Sequence, residues 1–254
     1  MQETKDTHVK LGASGSFLFA PFFIALALLG STAIAGYAFY RVRLLDDSLA
    51  VTGSAKQEVV SDTVKWRANF SRTITLSNIK SGYATMAADE ALVKAFMEKN
   101  GVNKDEVTIA AISMNEDYSY NSNNNPNYEK RYTLSQQVTV DSKDVDKITN
   151  LSKQTQTLVN QGVIFTTYGL EYYYSKLSDL RVSLLSDAIK DAKARADKIA
   201  EASGKTVGQL KNASSGVVQV LPLNSVDVSD YGAYATGDIK KEVMVTVKAA
   251  FTLR

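Results

Sequence analysis

The sequence contains no cysteine, one histidine and only three prolines among its 254 residues. Without cysteine the chain has no disulfides, no thiolate metal sites and no thiol nucleophile. Its one histidine, His8, lies near the N-terminus, which excludes histidine-based acid–base catalysis from the rest of the chain. These absences are compatible with an exported bacterial or archaeal domain that depends on core packing for its stability.

The charges show no bias toward either sign. There are 29 basic and 27 acidic residues, a net charge of +2, so no nucleic-acid partner is expected. No set of residues has the spacing of a catalytic, cofactor or metal site, and the sequence therefore predicts no enzyme, no cofactor and no metal. An enzyme would need carboxylates, or serine and lysine, to converge in a pocket of the folded chain.

One long apolar stretch occurs near the N-terminus. No side chain between Lys10 and Arg41 is charged, and residues 17–40 are long enough to cross a hydrocarbon core of about 30 Å as a helix. Tyr37, Tyr40 and the following Arg41 are typical of an anchor at one membrane interface. We therefore predict an uncleaved transmembrane anchor at residues 16–40 that contacts the lipid bilayer through residues 17–40.

A cleaved signal peptide is the alternative for this stretch. Lys5 and Lys10 would form its basic region, and the small residues at 33–35 would form its cleavage site. The continuation of apolar residues to Tyr40 favours the anchor. The basic residues on the two sides are nearly balanced, so charge does not set the orientation. For a single N-terminal anchor we expect a short cytoplasmic tail and a large extracytoplasmic domain.

The rest of the chain divides simply. Residues 1–15 are polar and predicted to be a disordered tail, residues 41–48 a linker, and residues 49–254 the extracytoplasmic domain. Period-2 and helical patterns predict the order β-β-α-β-β-α-β-α-β-β in that domain. The predicted helices cover residues 77–100, 141–160 and 180–202, and a short first strand ends at Gly53. The fold class is α+β: a mainly antiparallel sheet with three helices packed on it, arranged as βαββ-like halves.

The predicted strand at residues 163–174 carries apolar groups on both faces. Strict alternation places Phe165 and Tyr173 on one face and Tyr172 on the other. One layer of helices cannot cover both faces, so we expect an oligomer interface or a binding surface. Tyr118 and Tyr120, in an Asn-rich loop predicted at residues 115–127, are further candidates for this surface.

Several segments in order resemble one family over roughly residues 50–254. They are Val51-Thr-Gly-Ser-Ala, Ser61-Asp62 followed by Trp66, Arg131-Tyr-Thr with Gln137-Val-Thr-Val-Asp-Ser, the Ala-rich stretch 188–200 with Ser203-Gly204, and Asp238-Ile-Lys-Lys. Together they resemble the SIMPL-domain family. The sequence departs from many members at Gly53-Ser54 and in its Asn-rich loop.

The resemblance implies an exported or membrane-anchored envelope protein. It also implies, from some relatives, large ring- or barrel-like homo-oligomers and a link to oxidative-stress defence. No catalytic residues are carried over by the resemblance. The first hypothesis is therefore a membrane-anchored, homo-oligomeric envelope scaffold. The alternative is an extracytoplasmic binding module that holds an unidentified envelope ligand, a glycan or a peptide, on exposed tyrosines. The third hypothesis is an enzyme.

Overall fold

The computed structural model describes residues 19–44, 48–117, 130–225 and 231–254. The first helix, α1, runs from Phe19 to Leu44, and its segment Pro21–Arg41 is long and apolar enough to cross a membrane. No part of that segment is buried. The Ser31 and Thr32 hydroxyls donate to the Leu28 carbonyl one turn earlier, so these polar groups are satisfied within the helix.

The remaining elements are α-helices and strands in an α+β arrangement. The helices are α2 (Ile79–Lys99), α3 (Val145–Leu151), α4 (Gln156–Asn160) and α5 (Leu177–Ala202). The strands are β1 (Ser48–Val60), β2 (Thr63–Thr75), β3 (Val107–Ile109), β4 (Ser113–Glu116), β5 (Arg131–Ser142), β6 (Ile164–Tyr173), β7 (Val207–Pro222), β8 (Ala233–Tyr234) and β9 (Lys240–Leu253). The predicted α+β class is confirmed.

The strands form two sheets where we predicted one. The order is β1-β9-β7-β8 in the first sheet and β3-β5-β2-β6 in the second, with β4 also paired to β5. In the second sheet β2, β5 and β6 pair antiparallel, and β3 and β4 pair antiparallel with β5. The short β8 is parallel to β7.

The chain divides into two compact units. One contains Met1–Val51, Lys193–Ala213 and Ala249–Arg254, and the other contains Thr52–Ala192 and Ser214–Lys248. Within the first, Thr206 and Arg254 exchange two backbone hydrogen bonds of 2.8 and 2.9 Å. The second contains the main core, in which Trp66 and Phe70 of β2 are fully buried together with Met86 of α2.

The second predicted helix and the first predicted strand differ clearly from the structure. The predicted helix at 141–160 is broken into α3 and α4, where the Thr149 and Ser152 hydroxyls bond to nearby backbone carbonyls and compete with helix continuation. The first strand does not end at Gly53. A Cβ there would lie 2.2 Å from the Ala188 carbonyl oxygen, so Gly53 is the point at which β1 and α5 touch.

Candidate functional site

Two of the residues singled out from the sequence, Phe165 and Tyr172, are buried and present little exposed surface. Phe165 packs edge-on against Trp66, with ring centroids 5.9 Å apart, and is buried in the main core. Tyr172 is buried in the same core, where its hydroxyl lies 3.0 Å from that of Thr149. Tyr173 is half-buried. Tyr118 and Tyr120 lie outside the described residues.

A β-bulge explains why Phe165 and Tyr172 share a core although strict alternation separates them. Along β6, Thr167 is opposite Ala68 but Gly169 is opposite Arg67, so Tyr168 is an extra residue in the ladder. Gly169 has a φ of +157°, a conformation that favours glycine. Beyond the bulge every side chain changes face, and the predicted assignment of faces in β6 is therefore wrong.

The bulge also decides which apolar side chains of β6 meet solvent. Ile164 is 54% exposed and Tyr168 is 67% exposed. Among the described strands β6 pairs only with β2, so its other side is an edge of the second sheet. We call Ile164, Tyr168 and this edge the β6 edge. At its far end the Tyr172 amide donates to the Thr236 carbonyl, but near Ile164 and Tyr168 no other described strand pairs with this edge. Unpaired edges of this kind can template contacts with other chains.

A fully buried lysine is the most unusual polar residue in the structure. Lys241 follows the first residue of β9 and has no solvent exposure. It shares the inward side of the strand with Val243 and Val245, two and four residues further on. The sequence signal that identifies Lys241 is the alternation of Val243, Val245 and Val247 with polar residues, because extending it back by two residues reaches Lys241.

The Lys241 ammonium joins two chain segments. Its Nζ donates to the Tyr172 carbonyl at 2.5 Å and to the Ala235 carbonyl, and it lies 4.9 Å from the centre of the Tyr234 ring. Burial lowers the pKa of Lys241, and the nearby Asp238 carboxylate opposes that shift. Charge-assisted hydrogen bonds and the aromatic face offset the cost of burying the charge.

Tyr234 continues this cluster toward the surface. Its ring lies 5.8 Å from that of Tyr173, and its hydroxyl accepts a hydrogen bond from the Tyr174 amide. The Tyr173 hydroxyl donates to Glu171 at 2.8 Å, which raises the pKa of Tyr173 together with burial. Arg67 lies 3.2 Å from the same Glu171 carboxylate. Lys241, Tyr234, Tyr173, Glu171 and Arg67 are hereafter the lysine cluster.

The turn between β1 and β2 packs beside this cluster. The Ser61 amide donates to the Ile239 carbonyl, and the Asp62 carboxylate accepts from the amide and hydroxyl of Ser175, just before α5. Burial opposes ionisation of Asp62, but the hydrogen bonds from Ser175 and Thr63 together with that from its own backbone hold the pKa of the carboxyl below its usual value. Asp62 thereby fixes the start of α5 to the turn.

The hydrogen bonds of the lysine cluster hold separate chain segments together. The Lys241 nitrogen is enclosed, and two of its donors are directed to backbone carbonyls. The buried Ser61 hydroxyl has no hydrogen-bond partner within the described part of the chain, so it makes no serine–lysine pair with Lys241. In those same residues no three acidic or histidine side chains are grouped to hold a metal ion.

Comparison with known families gives a match that covers most of the chain. The family model SIMPL, described as a protein of unknown function (DUF541), matches residues 49–251. The match covers both sheets and the helices from α2 to α5, and it confirms the resemblance drawn from the sequence segments. No curated protein matches the chain at a significant level.

Proposed function

The chain belongs to the SIMPL family, and on that premise we propose that it is a membrane-anchored envelope scaffold that assembles with copies of itself. The family match together with an N-terminal apolar helix fits an envelope protein. We further propose that α1 remains attached as the anchor and that the SIMPL domain lies on the extracytoplasmic side.

The dimensions of α1 support the anchor. Its 26 residues give a helix of about 39 Å, longer than a hydrocarbon core of about 30 Å. At its C-terminal end the Arg41 guanidinium donates to the Tyr37 hydroxyl at 3.0 Å, an aromatic and basic pair suited to the membrane interface. A cleaved signal sequence would also begin with an apolar helix, so the mature N-terminus distinguishes the two.

The β6 edge is the observation that carries the proposal of self-assembly. Ile164 and Tyr168 present apolar side chains to solvent beside backbone groups that no other described strand pairs. The bulge at Tyr168 limits how far a partner strand can pair along β6, so the contact combines a short ladder with side-chain packing. Anchoring in one membrane raises the local concentration of the domain, and weak contacts then suffice.

The mass of the full-length chain tests this proposal. After extraction in mild detergent, light scattering corrected for bound detergent is expected to give a discrete multiple of the chain mass of 27.7 kDa. Closed symmetry is expected because open head-to-tail contacts would give fibres. A single chain per particle over the micromolar range would contradict the scaffold and favour a monomeric binding module.

The link to oxidative-stress defence is a separate part of the proposal and depends on the family resemblance alone. Cells that lack the protein are expected to survive hydrogen peroxide less well than cells in which it is restored. Equal survival of the two strains would remove this part and leave the assembly proposal unaffected.

A further inference from the structure

A groove between α2 and β3 has the features of a peptide-binding site, distinct from both the β6 edge and the lysine cluster. It encloses about 540 Å³ and has an apolar floor made by Met97, Val102, Val107 and Ile109. Four charged side chains line its rim: Glu90, Lys94, Glu98 and Lys104. Val102 and Met97 are buried, so the floor is anchored in the main core.

The strand beside the groove has backbone groups available for pairing. The Ala110 amide donates to the Gln137 carbonyl of β5 at 2.9 Å. Because successive amides of a strand point to opposite sides, the N–H and C=O of Ile109 face away from β5. Among the described strands β3 pairs only with β5, so Ile109 is at an open edge. One residue of an added strand can hydrogen-bond to both of these groups.

A buried amide beside the groove is incompletely paired. Gln136 donates from its side-chain nitrogen to Glu90 at 2.7 Å and to the Ala110 carbonyl at 2.9 Å. Its buried side-chain oxygen has no hydrogen-bond partner in the described residues. Buried acceptors are normally satisfied, and this one lies beside Glu90, which lines the groove.

The rim charges indicate what kind of peptide fits. Lys94 lies 2.5 Å from Glu90, and Lys104 lies 2.8 Å from Glu98. In each pair the lysine is the more exposed member, 59% against 28% and 84% against 52%. An approaching chain therefore meets ammonium groups first, which favours acidic residues on that chain.

We propose that this groove binds an extended segment of another protein, which pairs with Ile109 as an added strand, places an apolar side chain on the floor and presents acidic residues to Lys94 and Lys104. An extended peptide supplies all three features at once, because alternate side chains of a strand point to the groove and away from it. A helix would leave the Ile109 backbone groups unpaired.

The test uses the full-length chain in lipid nanodiscs and a displayed library of random decapeptides, with empty nanodiscs for counter-selection. The expected consensus alternates apolar residues and contains acidic ones. Binding of a selected peptide is then measured by fluorescence anisotropy. We expect Ile109→Thr to weaken it by about ten-fold and the double variant Lys94→Gln/Lys104→Gln by roughly five-fold.

Two matched substitutions outside the groove serve as controls. Val159→Thr makes an equivalent change at an exposed apolar residue of α4, and Lys153→Gln removes an exposed lysine. Both are expected to leave binding unchanged. Failure to enrich any peptide over empty nanodiscs would overturn the proposal, as would equal binding to the wild type and Ile109→Thr. If Ile109→Thr fails to fold, the lysine double variant provides the test. An affinity for the selected peptide equal to that of the wild type would then contradict binding in the groove.

Peptide binding by the groove goes beyond the proposed self-assembly, and each of the two can be disproved without the other. The groove variants are expected to retain the particle mass of the wild type, because the groove lies on β3 and the β6 edge lies on the opposite side of the same sheet. A groove variant that changes mass without changing peptide binding would assign this surface to copies of the chain and overturn the peptide proposal.

Discussion

The Lys241 side chain has no solvent exposure, and its ammonium lies 4.9 Å from the centre of the Tyr234 ring. The same nitrogen bonds to the Tyr172 carbonyl at the end of β6 and to the Ala235 carbonyl after β8. A single side chain thus connects the end of the second sheet to a strand of the first. Because the ammonium is buried, its contribution depends on every one of these partners remaining in place.

Lys241→Met keeps a long flexible side chain but removes the charge and both hydrogen bonds. Two carbonyls are then left without their donor, and we expect the free energy of unfolding to fall by about 1–3 kcal/mol. Thermal unfolding followed by circular dichroism measures the change, with Lys240→Met at the neighbouring exposed position as control. Equal melting temperatures for the two variants would show that the buried ammonium contributes little.

The ion pair between the buried Asp89 carboxylate and the partly exposed Arg72 guanidinium gives a second prediction. Both Asp89 oxygens accept from the Arg72 guanidinium, at 2.6 and 2.7 Å, and Arg72 also donates to the Gly162 carbonyl. Arg72→Met leaves a buried carboxylate unpaired, and we expect a loss of about 3–5 kcal/mol.

Denaturant unfolding of a double-mutant cycle checks this pair. Arg72→Met combined with Asp89→Leu should cost less than the sum of the two single changes, since the second substitution removes the unpaired charge. Arg181→Met, at an exposed position of α5, is the control and should change little. If the losses of unfolding free energy in the two single variants simply add in the double variant, Arg72 and Asp89 are not energetically coupled.

The pH dependence of stability follows from Asp62. Its pKa in the folded chain lies below the ordinary value of 3.8, because hydrogen bonds from Ser175 favour the ionised form. The stabilisation is therefore fully present above pH 3.8 and is lost as the pH falls through the lowered pKa. We expect the Asp62→Asn variant to have a lower melting temperature than the wild type at pH 7. The difference between the two melting temperatures should shrink toward pH 3. A difference that stays constant across this range would be inconsistent with the role given to Asp62.

The helical pattern of the sequence predicted α5 well, but not its last turn. Leu184, Ala188, Ala192 and Ala196 are buried as the spacing of three to four residues indicated. The same spacing points to Ile199 as the next inward residue, but Ile199 is 49% exposed and Ala200 is buried instead. A hydrophobic side chain alone does not say which of two adjacent positions continues a stripe, because 3.6 residues per turn allows either step.

The candidate residues on β6 could not be assigned from alternation. An extra residue at Tyr168 reverses the faces of the strand, and the sequence contains no signal for it beyond Gly169. Lys241 was missed for a different reason. A lysine at an inward position contradicts the usual preference for solvent, and only the carbonyls and the Tyr234 ring supplied by distant segments make that position tolerable.

The absence of cysteine allows a direct test of sidedness. Lys153→Cys places the only thiol of the chain at an exposed position of the domain, and Thr7→Cys places it before the apolar stretch. We expect a membrane-impermeant maleimide to label Lys153→Cys in spheroplasts and Thr7→Cys only after lysis. The reverse pattern would place the domain in the cytoplasm, and loss of residue 7 from the mature chain would indicate cleavage.

Self-assembly through the β6 edge is tested most directly by the mass of a double variant, Ile164→Ser/Tyr168→Ser. Both side chains are exposed, so the fold should tolerate their replacement, unlike replacement of the buried Phe165. Val182→Ser, at an exposed apolar residue of α5, is the matched control. In detergent, light scattering should give assembled particles for the wild type and Val182→Ser and single chains for the double variant. A double variant that keeps the mass of the wild type would contradict assembly through the β6 edge.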